Sequence, residues 1–594
     1  MQDKIITQLH ECFTRLPLTP TESLELALQL LAWAKLSNMS EIPEGIRLSD
    51  HLLNEPGKLQ NALQQLERGE GLVHQAFQGS NLVRLDPLKL RPALELTLRL
   101  INTGLLRSFE PTAAIASAAA QLRSEGAVPE EVANLMAGLT DIHAGESAYV
   151  PWDFWGSLAS RMARADAEVY LETPLQSAMP ALAGLLNEQP FQVHYADPIL
   201  SPSAVENGKP CAFDVAIAFP PLGMRYTMDA VNKDWYDRFP EKTASGTILA
   251  IRHLLSQSRR RVVLAVANSV LFSAGAERVL REDLISQGKI EAVISMPAGL
   301  LSHTNIAFSI LVLNPAGGTG KIKFINADIP QFCTPISKAR CQLSNIDHLL
   351  AQIASGVETD NLVQVAVEDV LKNDAQLQVS RYVLPSSQKK LLARLNAEPT
   401  ASLGELVSTV RPMLISPREE GETIEVMEVT VSDLPPYGFI QATGRMVKVP
   451  SHLDARAEQQ FLRPFDIVLI VKGSVGKVGI IPNDVPPPGP GGWIAGQSAI
   501  VLRVPEKSAI DARALAMLLR SAIGQELLNG IVSGASSIKL IQLRELERLQ
   551  ILLPDQESSQ HAIHALEKEA DLQQEIDRLR QEQAKIAADL WFLA

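Results

Sequence analysis

The sequence predicts a multidomain α/β protein with an N-terminal helical bundle, a Rossmann-like sheet, an α+β domain and a C-terminal coiled-coil helix. Three patterns lead to this fold class. Apolar residues recur every three or four positions in residues 1–144, short β-branched runs alternate with helical segments in residues 145–335, and a heptad seam lies within the C-terminal helix of residues 556–594. Residues 336–400 are expected to form a connector, and residues 401–555 the α+β domain.

Leucine-rich segments predict the helices of the bundle. Thr19–Ser23 and Pro129–Glu131 place proline and acidic residues where helices begin, because a first turn has free amide groups and the positive end of the helix dipole. A bundle alone indicates no function. The leucine clusters lie at residues 24–31, 59–66 and 88–105.

Seven short apolar runs predict the strands of a doubly wound sheet. In such a sheet ligands bind at the carboxyl ends of the strands, so the residues after each run are the candidates for a site. The runs are Ala167–Leu171, Phe191–Tyr195, Phe213–Ala218, Arg261–Val266, Ala292–Met296, Phe308–Leu313 and Ile322–Ile325.

Composition limits the classes of function. The net charge of -13 is unusual for a nucleic-acid-binding protein, so any contact with DNA requires a local positive surface or a second subunit. No apolar run approaches the roughly 20 residues of a membrane span, and the N-terminus lacks a secretion signal, so a cytoplasmic location is expected. The four cysteines are scattered, which predicts buried thiols and no metal site.

The segment Phe213–Gly223 carries the clearest motif. Its strand must stop at Pro220 and Pro221, because two prolines cannot extend a hydrogen-bonded ladder. The segment resembles the Asp-x-x-x-x-Asn-Pro-Pro-Phe signature of adenine-specific DNA methyltransferases, in which the Asn side chain and the first Pro carbonyl accept hydrogen bonds from a flipped-out adenine. Phe219 stands in the place of that Asn, so this degenerate motif is not expected to transfer a methyl group. Its residues are Phe219, Pro220, Pro221 and Leu222.

The region Val262–Leu313 is similar to the second half of the modification subunit of type I restriction-modification systems. Arg238–Pro240 occupies the loop that follows the Pro-Pro motif in that family, and the family also carries an N-terminal helical domain. Gln378–Val383 resembles the short strand that closes the subunit. The resemblance implies a Rossmann-like methyltransferase domain at residues 145–335.

The same resemblance implies a degraded site for S-adenosylmethionine. In the family, the glycine-rich turn has the pattern Asp-Pro-x-x-Gly-Ser-Gly-Gly. The matching segment here is Glu172–Met179, which retains only Ser177. The strand that should carry the ribose-binding acid is expected to be shortened or lost. We therefore expect no cofactor, or S-adenosylmethionine if the enzyme is active after all. The degenerate cofactor contacts are Tyr149, Pro151, Glu172, Ser177 and Asp197.

Residues 401–555 resemble one target recognition domain of a type I specificity subunit, with several landmarks in the same order. In the loop Lys472–Lys477, glycines keep the backbone slim while two lysines and Ser474 suit phosphate oxygens. The alternative is a strand turn with solvated lysines. The resemblance makes the following residues candidates for binding double-stranded DNA: Arg411, Arg418, Arg445, Lys448, Lys472, Ser474, Lys477 and Lys539.

The C-terminal segment has a heptad seam with one polar position. Such a seam needs a second helix, which predicts a homodimer, although the helix could instead pack on the chain's own domains. The seam residues are Leu572, Ile576, Leu579, Gln583, Ile586 and Leu590.

Three functions remain open from the sequence. The first is a sequence-specific DNA-binding protein of a restriction-modification-like or phage-defence complex, with an inactive methyltransferase domain as scaffold and separate nuclease or translocase subunits. The second is an active DNA adenine methyltransferase in which Phe219 stacks on the flipped base. The third is a protein-interaction subunit without either DNA function. Binding of S-adenosylmethionine separates the first from the second, and DNA binding separates the first from the third.

Overall fold

The computed structural model describes residues 2–14, 16–189, 191–337, 339–384, 395, 397–412, 423–441, 445–451, 455–533 and 540–589. The chain divides into two compact units, Met1–Val383 and Leu384–Ala594. Residues 336–383, expected to be part of a connector, therefore belong to the first unit. No helix in the described ranges is long and apolar enough to cross a membrane.

The first unit begins with the predicted helical bundle. Thr19 caps the helix Pro20–Met39 through a reciprocal pair of bonds with Glu22, and this helix is buried on nearly all sides. The described bundle helices are Gln2–Phe13, Pro20–Met39, Asp50–Leu53, Pro56–Glu67, Gly71–Phe77, Asn81–Arg84, Pro87–Asn102 and Pro111–Gln121, with 3-10 turns at Glu44–Ile46 and Leu105–Ser108. The helix Glu130–Thr140, expected to belong to the bundle, packs instead into the core of the sheet.

A nine-stranded sheet forms the centre of the first unit. All seven predicted runs are strands of this sheet, and two further strands, β1 and β9, lie outside the runs. The strands are β1 (Ser147–Pro151), β2 (Glu168–Thr173), β3 (Gln192–Tyr195), β4 (Phe213–Ala218), β5 (Ser258–Ala267), β6 (Ile290–Ser295), β7 (Phe308–Leu313), β8 (Lys321–Asn326) and β9 (Leu362–Ala366).

The strand order is β9-β8-β6-β7-β5-β4-β1-β2-β3. Strands β3, β2, β1, β4 and β5 are parallel neighbours, whereas β7 runs antiparallel between β5 and β6. Both faces of the sheet are covered by apolar cores, as expected for a doubly wound fold. The helices on and beside these faces are Ser157–Arg164, Met179–Asn187, Met228–Asn232, Gly246–Ser256, Ala276–Ser286, Ile346–Ser355 and Val367–Lys372.

Two expectations for this unit are wrong. The segment Gln378–Val383 contains a 3-10 turn, Val379–Arg381, where a closing strand was expected, and the antiparallel edge strand is β9 instead. Of the four cysteines only Cys341 is buried, and the other three are half-buried, so the expectation of buried thiols holds for one residue. All four are free, and the described residues contain no group of three or more His, Cys, Asp or Glu able to hold a metal.

The second unit is an α+β domain built from short strands. In the described residues of this unit, the β structure consists of a four-stranded antiparallel sheet, a three-stranded sheet and two strand pairs. The strands are β10 (Thr400–Ser402), β11 (Ser408–Val410), β12 (Thr423–Val429), β13 (Met446–Pro450), β14 (Ile467–Ile470), β15 (Val478–Ile480), β16 (Trp493–Ala495), β17 (Ala499–Arg503), β18 (Val532–Ser533), β19 (Leu540–Ile541) and β20 (Gln550–Leu552). The helices are Leu403–Leu406, Ala455–Glu458, Ala512–Arg520, Ala522–Gly530, Leu543–Glu547 and Gln556–Asp589.

Candidate functional site

The switch point of the sheet lies between β1 and β4. Strand β1 has β2 on one side and β4 on the other, and all three are parallel, so their carboxyl ends meet at one edge. Ligands of open α/β sheets bind at such a point, with the first strand-to-helix turn contacting the ligand and an acid about 20 residues later binding a ribose hydroxyl. The residues after β1, β2 and β4 therefore define the candidate site.

The structure moves the cofactor turn from its expected position. The first strand is β1, and the turn that follows it is Trp152–Gly156, which enters the helix Ser157–Arg164. The assignment of the turn to Glu172–Met179 is therefore wrong, and no strand has been lost. Compared with the Asp-Pro-x-x-Gly-Ser-Gly-Gly pattern, residues 152–159 retain Gly156 and Ser157 but place Leu158 and Ala159 at the last two glycine positions.

Gly156 is required for packing at this turn. Its φ of 68° lies in the left-handed region, and a Cβ added there would lie 2.8 Å from the Cβ of Ala183 and 3.2 Å from the Cα of Pro180. The glycine therefore lets the helix Ser157–Arg164 approach the helix Met179–Asn187. This role concerns helix packing rather than a ligand.

Asp153 occupies the N-terminus of the helix Ser157–Arg164. Its carboxylate accepts hydrogen bonds from the amides of Ser157 (3.0 Å), Leu158 (2.8 Å) and Ala159 (2.9 Å), and the side chain is buried. Burial raises the pKa of Asp153, although the three amides favour its charged form. The first amides of a helix form a ready anion site, and here the chain's own carboxylate uses them.

Glu172 lies at the end of β2, 20 residues after Trp152, where the ribose-binding acid of such a fold is expected. It is fully buried. One carboxylate oxygen accepts bonds from the amide (2.5 Å) and hydroxyl (2.7 Å) of Ser203, and the other accepts a short bond from the Tyr149 hydroxyl. Burial raises the pKa of Glu172, and these hydrogen bonds oppose the rise.

A chain of buried polar groups continues from Glu172. The Tyr149 hydroxyl is 2.8 Å from Nε2 of His253, and Nη1 of Arg238 lies 2.7 Å from Nδ1 of the same ring. Because the arginine can only donate, His253 must accept at Nδ1 and donate from Nε2 to Tyr149, which in turn donates to Glu172. Asp234 completes the chain with an ion pair to Arg238 at 2.7 Å.

The pH dependence of the free energy of unfolding should reflect this network of buried polar groups. Burial, together with the charge of Arg238, lowers the pKa of His253 well below its usual value. A lowered pKa means that the unfolded chain binds the proton more tightly, so the stabilisation is present above about pH 6.5 and is lost as pH falls below it. His253→Gln keeps an acceptor and a donor but does not titrate. We expect wild type to lose up to about 1.4 kcal/mol more per pH unit below pH 6.5 than this variant, in urea denaturation.

The pKa of Glu172 is raised by burial, but this residue is present in both proteins, so the comparison reports the difference made by His253. Parallel stability curves for wild type and His253→Gln between pH 7 and pH 5 would show that the histidine is not held neutral.

The remaining expected cofactor residues have local structural contacts. Pro151 ends β1 opposite Glu172 in the sheet register. The Ser177 hydroxyl accepts from the Met179 amide at 3.2 Å. Asp197 accepts from the amides of Ile199 (2.8 Å) and Leu200 (3.0 Å) and from the Tyr226 hydroxyl (3.2 Å), and burial raises the pKa of that hydroxyl. The structure thus brings Tyr149, Pro151 and Glu172 together.

The degenerate catalytic motif follows β4. Phe219 is 4% exposed and packs edge-to-face on Phe308, with the ring centroids 5.3 Å apart. Pro220 is buried, Leu222 is half-buried against the same core, and Pro221 is exposed. The Phe219 ring is therefore a core side chain, and this geometry does not support its stacking on a flipped base.

A second candidate site is the loop Lys472–Lys477, which joins β14 to β15. Gly473 and Gly476 adopt φ values of 82° and 90°, and the Gly476 carbonyl accepts from Gln525 at 2.9 Å, which anchors the loop to the helix Ala522–Gly530. Lys472, Ser474 and Lys477 are exposed. A slim, anchored loop with exposed lysines suits phosphate contact.

The other DNA candidates are dispersed. The side chain of Arg445 is 66% exposed and lies 2.9 Å from Glu428, Lys448 is exposed opposite Glu425 on β12, and Arg411 is exposed after β11. Arg418 and Lys539 lie outside the described residues.

A cleft of about 420 Å³ in this unit includes Arg445 and adds two polar residues that sequence reasoning missed, Gln497 and Ser498. Both are exposed on the turn between β16 and β17. The Ser498 carbonyl accepts from the amides of Val471 (2.9 Å) and Lys472 (3.3 Å), so Ser498 lies beside the start of the lysine loop. In the sequence, the feature that could have indicated Gln497 and Ser498 is the Gly-Gln-Ser turn between two strands.

One segment, which begins within the helix Met179–Asn187, is similar to a known protein family. Residues 181–390 match the family model for N-6 DNA methylases. This match begins after β1 and β2, so it includes the Pro-Pro motif but not the Trp152–Gly156 turn.

Known relatives point the same way. The MjaVII methylase subunit of a type I restriction enzyme from Methanocaldococcus jannaschii is 25% identical over 308 residues, covering 46% of this chain and 52% of the relative. The MjaVIII methylase subunit of the same organism is 30% identical over 134 residues, 22% of this chain and 23% of the relative. The chain thus spans about half or less of the length of the curated relatives it matches.

A solved structure shares the fold. The type I restriction-modification methyltransferase subunit from Streptococcus thermophilus aligns with a TM-score of 0.55 at 16% identity, over 64% of this chain and 99% of that one. The first unit therefore has a methyltransferase-like α/β core, and the chain is similar to the methylase subunits of type I restriction enzymes.

Proposed function

We propose that this chain is a DNA-binding component of a restriction-modification-like or phage-defence complex, in which the methyltransferase-like sheet serves as a scaffold and transfers no methyl group. One observation carries the proposal. At the switch point, the groups that a methyl donor would contact already have hydrogen-bond partners within the protein. The Asp153 carboxylate accepts from the helix amides, and the Glu172 carboxylate accepts from Ser203 and Tyr149.

The acceptor side of the site supports the same proposal. Methylation of an adenine amine needs hydrogen-bond acceptors that increase electron density on its nitrogen, and the resemblance assigns that task to an Asn side chain. Phe219 offers no acceptor and lies in the core. A methyl-transfer assay with tritiated S-adenosylmethionine on unmethylated genomic DNA is expected to give no incorporation above a protein-free blank.

The alternative is an active adenine methyltransferase, and one observation favours it. Gly156 and Ser157 remain at the turn after β1, and Glu172 stands at the spacing of a ribose-binding acid. This enzyme would need the Ser203 segment to release Glu172 when the donor binds. Incorporation of label that disappears in Glu172→Gln would establish the alternative and overturn the proposal.

The DNA-binding half of the proposal rests on the second unit. Its exposed lysine loop begins beside Ser498, which lines a cleft together with Arg445 and Gln497. Side chains suited to phosphate contact and to base reading therefore lie near one another. A gel shift with random duplexes, followed by sequencing of the bound pool, is expected to enrich a motif. A pool that stays random would favour the protein-interaction function.

Removal of the two loop lysines should weaken DNA binding in a salt-dependent way. Each phosphate contact contributes about 0.9 to the slope of log affinity against log salt. We expect Lys472→Ala/Lys477→Ala to reduce the slope by about 1.8 in fluorescence anisotropy titrations across a range of NaCl. Lys507→Ala, another exposed lysine of the same unit, is the control. An unchanged slope in the double variant would assign these lysines to solvent.

The proposal includes a homodimer through the C-terminal helix Gln556–Asp589. Leu566 packs into the core of the second unit, whereas Leu572 is 57% exposed and Leu579 47% exposed, so this part of the seam is not covered by the unit itself. We expect Leu572→Lys/Leu579→Lys to be monomeric in light scattering and wild type to be dimeric. Gln574→Lys, on another face of the helix, is the control. A monomeric wild type would contradict this pairing.

A further inference from the structure

Trp235 is the feature of the first unit that its own packing does not explain. The side chain is 91% exposed, in the segment that connects β4 to the helix Gly246–Ser256. The other tryptophans in the described part of the chain are buried. They are Trp33, Trp152, Trp155 and Trp493.

A buried ion pair between Asp234 and Arg238 flanks Trp235 in the sequence. The Asp234 carboxylate accepts from the Arg238 amide at 2.6 Å and from its guanidinium at 2.7 and 2.9 Å, and the two side chains are only 4% and 2% exposed. The three residues between them form a tip whose base is fixed. A fixed tip leaves the backbone of Trp235 with little conformational entropy to lose on binding.

The tip lies at the carboxyl edge of the sheet. The Arg238 guanidinium also donates to the carbonyls of Pro198 (3.0 Å) and Ile199 (2.7 Å), which follow the carboxyl end of β3. Trp235 therefore extends from the edge where an open α/β sheet meets its ligands.

The surroundings of the ring fit a nucleic acid better than a protein. A protein contact centred on tryptophan is normally ringed by residues that exclude water, but Met228 is the only other large exposed apolar residue in the described positions from 225 to 242. The exposed charges in that segment are three cations and two acids, and Lys233 pairs with Asp229 at 2.7 Å, so the chain's net charge of -13 is not concentrated here. They are Arg225, Lys233, Lys242, Asp229 and Asp237.

We propose that Trp235 is a DNA-contact residue that stacks on a nucleobase. The inference rests on the proposed DNA-binding function and assigns part of the interface to the first unit. Stacking suits this role because every base offers an aromatic face, so one ring contributes affinity without selecting a sequence. The lysine loop and cleft of the second unit then carry the phosphate and base-edge contacts.

The test compares the full chain with Trp235→Ala and Trp235→Phe, using two fluorescein-labelled duplexes of about 30 base pairs, one fully paired and one with a central unpaired bubble. We expect Trp235→Ala to bind about 10-fold more weakly, with the larger loss on the bubble duplex, and Trp235→Phe to recover most of the affinity. The salt slope should not change, because no phosphate contact is removed. Val279→Ala, another exposed apolar side chain, is the control and should bind like wild type.

Each remaining outcome contradicts a defined statement. A wild type that binds neither duplex overturns the proposed function. A wild type that binds both, with Trp235→Ala binding equally well, overturns only the stacking role. A Trp235→Ala variant that changes molar mass in light scattering but not DNA affinity assigns the ring to a protein contact and also overturns it. Unchanged thermal melting of Trp235→Ala confirms that the comparison involves a folded protein.

Discussion

Replacement of Arg238 by leucine is expected to lower the free energy of unfolding of the first unit by about 3–5 kcal/mol, because it leaves the Asp234 charge buried without a partner. Both side chains of this pair are almost fully buried. The guanidinium also satisfies the carbonyls of Pro198 and Ile199 and the ring of His253, so several acceptors lose their donor together. Urea denaturation followed by far-UV circular dichroism measures the effect.

The matched control is Arg91→Leu. Arg91 pairs with Glu95 on the surface of a bundle helix, and both side chains are about half exposed, so the loss is expected to be within about 0.5 kcal/mol. Equal stability of Arg238→Leu and wild type would mean that the buried network at the sheet edge is not formed.

Phe219→Ala is expected to destabilise the protein by about 3–5 kcal/mol, the usual cost of emptying a buried phenylalanine site. The reason is the contact with Phe308 and the core beneath it. The same substitution separates the two main functions, because a ring that is kept free to stack on a flipped base adds little to the stability of the unliganded protein. Thermal melting and urea denaturation measure the change.

Phe219→Leu is the control for volume, and it is expected to lose about half as much or less. A melting curve of Phe219→Ala that overlays wild type would place the ring in an open pocket and would favour the active enzyme. Phe219→Asn introduces the missing amide, and we expect it to be destabilised without gaining methyl transfer.

Much of the fold follows from local sequence patterns. The capping box at Thr19 and Glu22 marks a helix start in four residues, and the strands β4 to β7 are short apolar runs bounded by turns. These signals lie within single elements, so one sequence contains them. Strand β9 is different, because Leu362–Ala366 is a strand only by pairing with β8 at the sheet edge.

The error in the cofactor turn has a physical cause. Strand β1 is five residues long and ends in a proline before Trp152, so its sequence pattern predicts a loop. Its place in the sheet comes from pairing with both β2 and β4, which the sequence does not contain. Without β1, the sequence pattern places Glu172 at the start of the cofactor turn, whereas in the structure it lies at the end of β2.

The site network was predictable only in part. Tyr149 and Glu172 are 23 residues apart and were both candidates, whereas His253 and Tyr149 are separated by 104 residues and meet only in the folded sheet. Asp153 gave a weaker signal still, since an acid four residues before a serine is common. Tertiary contact, rather than spacing, brings these groups together.

Calorimetric titration of the full chain with S-adenosylmethionine tests the central claim most directly, because the donor must displace Asp153 from the helix amides and Ser203 from Glu172 in order to bind. We predict no measurable heat of binding up to millimolar donor, and no change in melting temperature at the same concentration. Saturable binding of one donor per chain, lost in Glu172→Gln, would contradict the account and favour the active methyltransferase.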